Sequence, residues 1–92
     1  MAAICKLSQN YIATVVDDEV LIVDLDGGEL FSLAGSARAI WEAIDDRRDE
    51  HAIADLMAHR FAGGPDTIRA DVFALVNALE KASLVERSGE AF

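Results

Sequence analysis

Between Tyr11 and Leu33 short apolar runs alternate with turn-forming residues, and from Gly35 onward the apolar positions recur at helical spacing. Tyr11-Ile12-Ala13-Thr14-Val15-Val16 is aromatic and β-branched, Asp17-Asp18-Glu19 is a charged turn, and Val20–Leu25 is apolar almost throughout. Such runs around a polar turn predict a β-hairpin. The next turn, Asp26-Gly27-Gly28, supplies glycine where positive φ is needed, so Glu29–Leu33 is expected to fold back as a third antiparallel strand. Val20–Leu25 is then the middle strand, and Glu29–Leu33 lies at a rim with unpaired N–H and C=O groups.

The helical part begins near Gly35 or Ser36, with Ala37, Ile40, Trp41 and Ile44 on one face. A polar linker, Asp45-Asp46-Arg47-Arg48-Asp49, leads to a second helix marked by Ile53, Leu56, Met57 and Phe61 and stopped by Gly63-Gly64-Pro65. Pro65 and Asp66 open a third helix whose apolar face is Ile68, Val72, Leu75, Val76 and Leu79. At the ends, Ile4–Asn10 shows no countable period and reads as a loose lead-in. Leu84-Val85 reads as a short packing segment, and Ser88–Phe92 as a frayed end. The expected class is α+β, one domain over 1–92 with its ordered core at about 11–86: a three-stranded antiparallel sheet, then three helices on one of its faces.

Composition narrows the function. The 92 residues, 52% of them hydrophobic, suffice for one small core. Seventeen acidic residues against 8 basic ones give a formal net charge of -9, which repels nucleic-acid backbones and anionic membranes. The single cysteine, Cys5, excludes an internal disulfide and suits a reducing compartment. No run approaches the ~20 apolar residues of a membrane helix, and the N-terminus has no secretory pattern. The expected location is cytoplasmic.

Candidate chemistry is sparse. His51, Asp55 and His59 fall at i, i+4 and i+8, but i and i+8 are about 12 Å apart along a helix, too far for one metal ion. They read as a solvent-facing stripe. Cys5 has no pocket-forming context, and no nucleophile elbow or phosphate-binding loop occurs. Neither a catalytic residue, a metal nor a cofactor is expected. The helix–turn–helix rhythm raises a DNA-binding reading, but only Arg69 and Lys81 are basic on the third helix, against Asp66, Asp71 and Glu80. Phe73 falls on the flank with Arg69, Val76 and Glu80, either as an extension of the core or as the wall of a groove. An edge strand beside such a wall suits capture of an extended peptide by strand addition.

The runs V-L-I-V-D-L-D-G-G-E-L-F-S-L, A-G-S-A-R-A-I-W-E-A-I-D, A-I-A-D-L and I-R-A-D-V-F-A-L-V-N-A-L-E-K-A-S-L-V resemble the PqqD-like proteins, over about residues 11–86. These are leader-recognition elements for ribosomally made, post-translationally modified peptides. The resemblance implies a winged helix-turn-helix-like fold that takes the precursor's leader peptide as an added strand, in the cleft beside the third helix. The matching positions are Glu29, Leu30, Phe31, Ser32 and Leu33 on the strand and Arg69, Val72, Phe73 and Val76 on the helix. Leu33, Ile40 and Trp41 match structural positions, whereas Ser83 departs from the usual helix-ending glycine and Gly63-Gly64-Pro65 departs in the preceding loop.

What the resemblance implies is a non-catalytic protein that binds a leader peptide and presents the precursor to a partner leader peptidase or cyclase. The small size and the Leu33-to-Trp41 run look more like the small leader-binding partner of lasso-peptide maturation proteases than like the pyrroloquinoline-quinone pathway protein itself. The alternatives are a pyrroloquinoline-quinone-type peptide chaperone for a radical SAM enzyme and a winged-helix DNA-binding regulator. The free sheet edge could also pair with a second copy to give a homodimer.

Overall fold

The computed structural model describes residues 3–87. In chain order these form β1 (Ile4–Lys6), β2 (Tyr11–Val16), β3 (Glu19–Asp24), β4 (Leu30–Leu33), α1 (Gly35–Ala43), α2 (Glu50–Arg60), α3 (Pro65–Lys81) and β5 (Val85–Arg87). A single 3-10 turn, Ser8–Asn10, joins β1 to β2. The class is α+β, as the periodicities imply.

The main sheet has the antiparallel order β2-β3-β4. Its hairpin turn is only Asp17 and Asp18, because Val16 already pairs with Glu19. Asp17 takes φ +55, a conformation that Asp tolerates better than the β-branched residues before it. Tyr11, Ala13 and Val15 of β2 share the inner face with Val20 and Ile22 of β3 and Phe31 and Leu33 of β4. The three helices cover the β3–β4 part of that face, while Ala13 and Val15 of β2 stay exposed. Val20, Ile22 and Leu33 are buried with Ile40 and Trp41 of α1, Ile53 and Met57 of α2, and Val72, Val76 and Leu79 of α3.

Local chemistry sets the helix limits. Asp49 caps α2 by accepting the Ala52 N–H at 2.8 Å. Pro65 occupies the first turn of α3, where its missing N–H costs nothing. The end of α3 is a left-handed cap on Ser83, φ +63, whose N–H donates to Glu80 O while Leu84 N–H donates to Leu79 O, each at 3.0 Å.

One expectation needs correction. Residues 4–10 are not a loose lead-in: Ile4 is fully buried, and β1 pairs antiparallel with β5 through Ile4–Arg87, Cys5–Glu86 and Lys6–Val85. A three-residue strand is too short to display a period of two, and its partner lies at the far end of the chain. The expected packing segment Leu84-Val85 is buried and runs into β5. Arg87 secures this second sheet to the helices through Glu50, Glu80 and Asn77. The frayed end expected at Ser88–Phe92 lies outside the described residues.

Candidate peptide-binding edge

β4 has β3 on one side and, among the described residues, no strand on the other. Asp24 N–H donates to Glu29 O at 2.9 Å, so that opposed pair is hydrogen-bonded. Antiparallel ladders alternate, so Phe31 and Leu33 also bond to β3. The N–H and C=O groups of Leu30 and Ser32 therefore point away from the sheet. Their side chains stand on the outer face, where Leu30 is 62% exposed and Ser32 Oγ donates to a Glu19 carboxylate oxygen. Phe31 and Leu33 turn inward, Leu33 into the core and Phe31 half-buried against it. Immediately after β4, α1 buries Ile40 and Trp41, so the rim is anchored at one end by the core.

Two concavities on α3 adjoin the segments that follow and precede β4. At one end Ser36, Ala37 and Ile40 face Asp71, Ala74 and Leu75 across a concavity of about 410 Å³. At the other, Asn10, Asp24, Asp26 and Glu29 face Lys81, Ala82 and Ser83 across one of about 450 Å³. The first is mostly apolar, at Ala37, Ile40, Ala74 and Leu75, and the second is mostly acidic, with Lys81 the opposing cation. An extended chain with apolar side chains and a positive charge near the Glu29 end fits that lining.

The structure keeps Glu29, Leu30, Phe31, Ser32 and Leu33 together on the rim. The four helix residues separate. Val72 and Val76 have no exposed surface and belong to the core. Phe73 lies edge-on to His51 of α2, ring centroids 5.4 Å apart, and Arg69 is exposed. At 100° per residue Phe73 and Leu75 sit about 160° apart around the helix axis, on opposite flanks. The flank that lines the first concavity carries Asp71, Ala74 and Leu75. Sequence reasoning passed over these three because a helical wheel gives angles about the axis, not which flank meets the sheet. Their partial signal was Leu75, already on the apolar face.

His51, Asp55 and His59 are exposed on α2, and His59 Nδ1 lies 2.8 Å from the Asp55 carbonyl oxygen. Among the described residues no group of three or more His, Cys, Asp or Glu is placed to hold a metal ion, and no helix is long and apolar enough to cross a membrane.

Comparison with known proteins gives a family. The profile of coenzyme PQQ synthesis protein D (PqqD) matches residues 19–85, from β3 into β5. The chain belongs to the PqqD family. Among solved structures the fold is similar to that of TbiB1 in complex with the TbiA(beta) leader peptide. The TM-score is 0.76 at 24% identity, covering 95% of this chain and 99% of that one. A search of curated proteins gives no match. The PqqD match starts after β2, so β1 and β2 stand outside the part that carries the family pattern.

Proposed function

We propose that this PqqD-family chain binds the leader segment of a ribosomally made precursor peptide as a fourth strand on β4. The observation that carries the reading is the rim itself: outward N–H and C=O groups at Leu30 and Ser32, with an apolar concavity between α1 and α3 at the residues that follow the strand. Backbone bonds to those two residues set the register of the bound peptide. Alternate leader side chains pack against Phe31, Ala74 and Leu75 and supply most of the affinity, at ~25 cal/mol per Å² before ordering costs. The acidic residues Asp24, Asp26, Glu29 and Asp71 favour leaders with basic residues and reject acidic ones. TbiB1, which shares the fold, is a structure with a leader peptide bound.

The role is binding without catalysis, in the compartment where precursor peptides are made, with the loaded precursor passed to a leader peptidase or cyclase. A lasso-peptide product is the preferred class. The test is fluorescence polarisation with the labelled leader peptide of any short precursor gene found next to this one. Saturable binding that a scrambled leader lacks is expected; equal binding of both, or of neither, refutes the reading.

A further inference from the structure

We propose that the other rim of the sheet, β2, pairs antiparallel with β2 of a second copy of this chain. Two three-stranded sheets then join into one of six strands, and both β4 rims stay open. This goes beyond peptide binding and does not depend on it.

The ladder shows which groups are free. Leu25 N–H donates to Asn10 O at 2.9 Å, so Ile12, Thr14 and Val16 bond to β3, while Tyr11, Ala13 and Val15 turn their N–H and C=O groups outward. Among the described residues no strand pairs with that side. The strand has none of the devices that blunt an edge. It is six residues long, carries no charge and no proline, and its register with β3 runs unbroken from Tyr11–Asp24 to Val16–Glu19. It also exposes apolar side chains, with Ile12 61% and Val15 57% exposed. β4, by comparison, is four residues long.

The pattern of β2 says what covers it. Its outer face reads Ile12, Thr14, Val16, apolar on each side of a threonine, which is the self-complementary order that a two-fold contact requires. With the axis at Thr14, the two Thr14 residues oppose each other and Ile12 of each copy opposes Val16 of the other. On the inner face Ala13 opposes Val15 of the second copy, and these outward-facing residues exchange backbone bonds. Such β-branched and Thr–Thr cross-strand pairs are favourable. The same register sets Asp17 of each hairpin opposite Tyr11 of the other copy. There the Lys6 ammonium lies 4.4 Å from the Trp41 ring centroid and Tyr11 meets that ring edge-on at 5.3 Å. Glu42, Asp45 and Asp46 already lie near that cation, so the acidic tip gains no net attraction there, and the two acidic tips fall at opposite ends of the joint. A concavity of about 490 Å³ beside β2, lined by Lys6, Ala13, Val15 and Trp41 among others, leaves room for the added strand's inner side chains. The net charge of -9 on each copy opposes association, so the dimer is stronger at high salt.

The experiment is sedimentation of the full chain over a concentration series at low and high salt, with three variants. Expected are a monomer–dimer equilibrium favoured by salt, its loss in Thr14→Lys, where like charges meet at the axis, and its persistence in Ser32→Pro. Thr14→Cys in a Cys5→Ser chain is expected to oxidise to a linked dimer, because a non-hydrogen-bonded antiparallel pair holds its Cα atoms about 4.5 Å apart; the Cys5→Ser chain alone is not. A strictly monomeric chain at every concentration and salt overturns the proposal. So does a dimer that survives Thr14→Lys without cross-linking through Thr14→Cys, or one that Ser32→Pro abolishes, which would put the contact at β4.

Discussion

Replacing Ser32 by proline separates the backbone claim from every side-chain effect. Ser32 N–H points away from β3, so proline removes no bond of the β3–β4 ladder, and edge strands accept proline where the N–H faces out. Phe31, which would precede it, is already in extended backbone. Leu30 and Ser32 together offer two donors and two acceptors to an added strand, about 2–6 kcal/mol in all at 0.5–1.5 kcal/mol per bond. Proline deletes one donor and strands the leader carbonyl that used it, a cost of about 1–3 kcal/mol, or roughly 5- to 150-fold in Kd. The Ser32 Oγ contact with Glu19 is lost as well, so Ser32→Ala is the control: it removes the hydroxyl and keeps the N–H. Polarisation titrations of the three proteins, with melting curves to confirm folding, give the answer. A folded Ser32→Pro chain with the affinity of Ser32→Ala would refute strand addition on β4.

Four further outcomes follow from other parts of the molecule. Leu75→Ser is expected to weaken leader binding by about 1–2 kcal/mol through lost apolar contact, whereas Phe73→Ala, on the flank against His51, is expected to lower stability and leave the affinity unchanged in the same titration. Ile4→Ala should cost about 2–4 kcal/mol in urea unfolding, because the side chain is fully buried; a loose lead-in would give no change. Ser83→Gly is expected to raise stability by up to about 1 kcal/mol, since glycine takes φ +63 without the Cβ penalty that serine carries, and a lower unfolding midpoint would contradict that assignment.

Where the pattern is local, the chain reveals its own structure. The alternation around Asp17-Asp18, the Asp26-Gly27-Gly28 turn and the change of period at Gly35 are each contained within a few residues, and each marks a boundary within a residue or two of the observed one. The rim followed from the same signals, because three strands in meander order leave the last one outermost. The β1–β5 sheet joins the two ends of the chain with three-residue strands, so neither end carries a period to read. The wall of the apolar concavity was hidden for a different reason. Val72, Phe73 and Leu75 are all apolar, and only the packing of α3 against α1 and α2 decides which is core, which meets His51 and which lines the concavity. The exposed Leu30 shows the same limit, since its face depends on the register with Val23.

The central claim, strand addition on β4, is tested most directly by residue-resolved amide exchange with and without the leader. In the free protein the Leu30 and Ser32 amides face solvent and should exchange fast, while Phe31 and Leu33 are bonded to β3. Leader binding is predicted to slow Leu30 and Ser32 strongly, converting an alternating pattern into a continuous one, with little change at Phe73 and His51. Binding that leaves Leu30 and Ser32 unprotected, or that protects the α2 flank of α3 instead, would contradict the account.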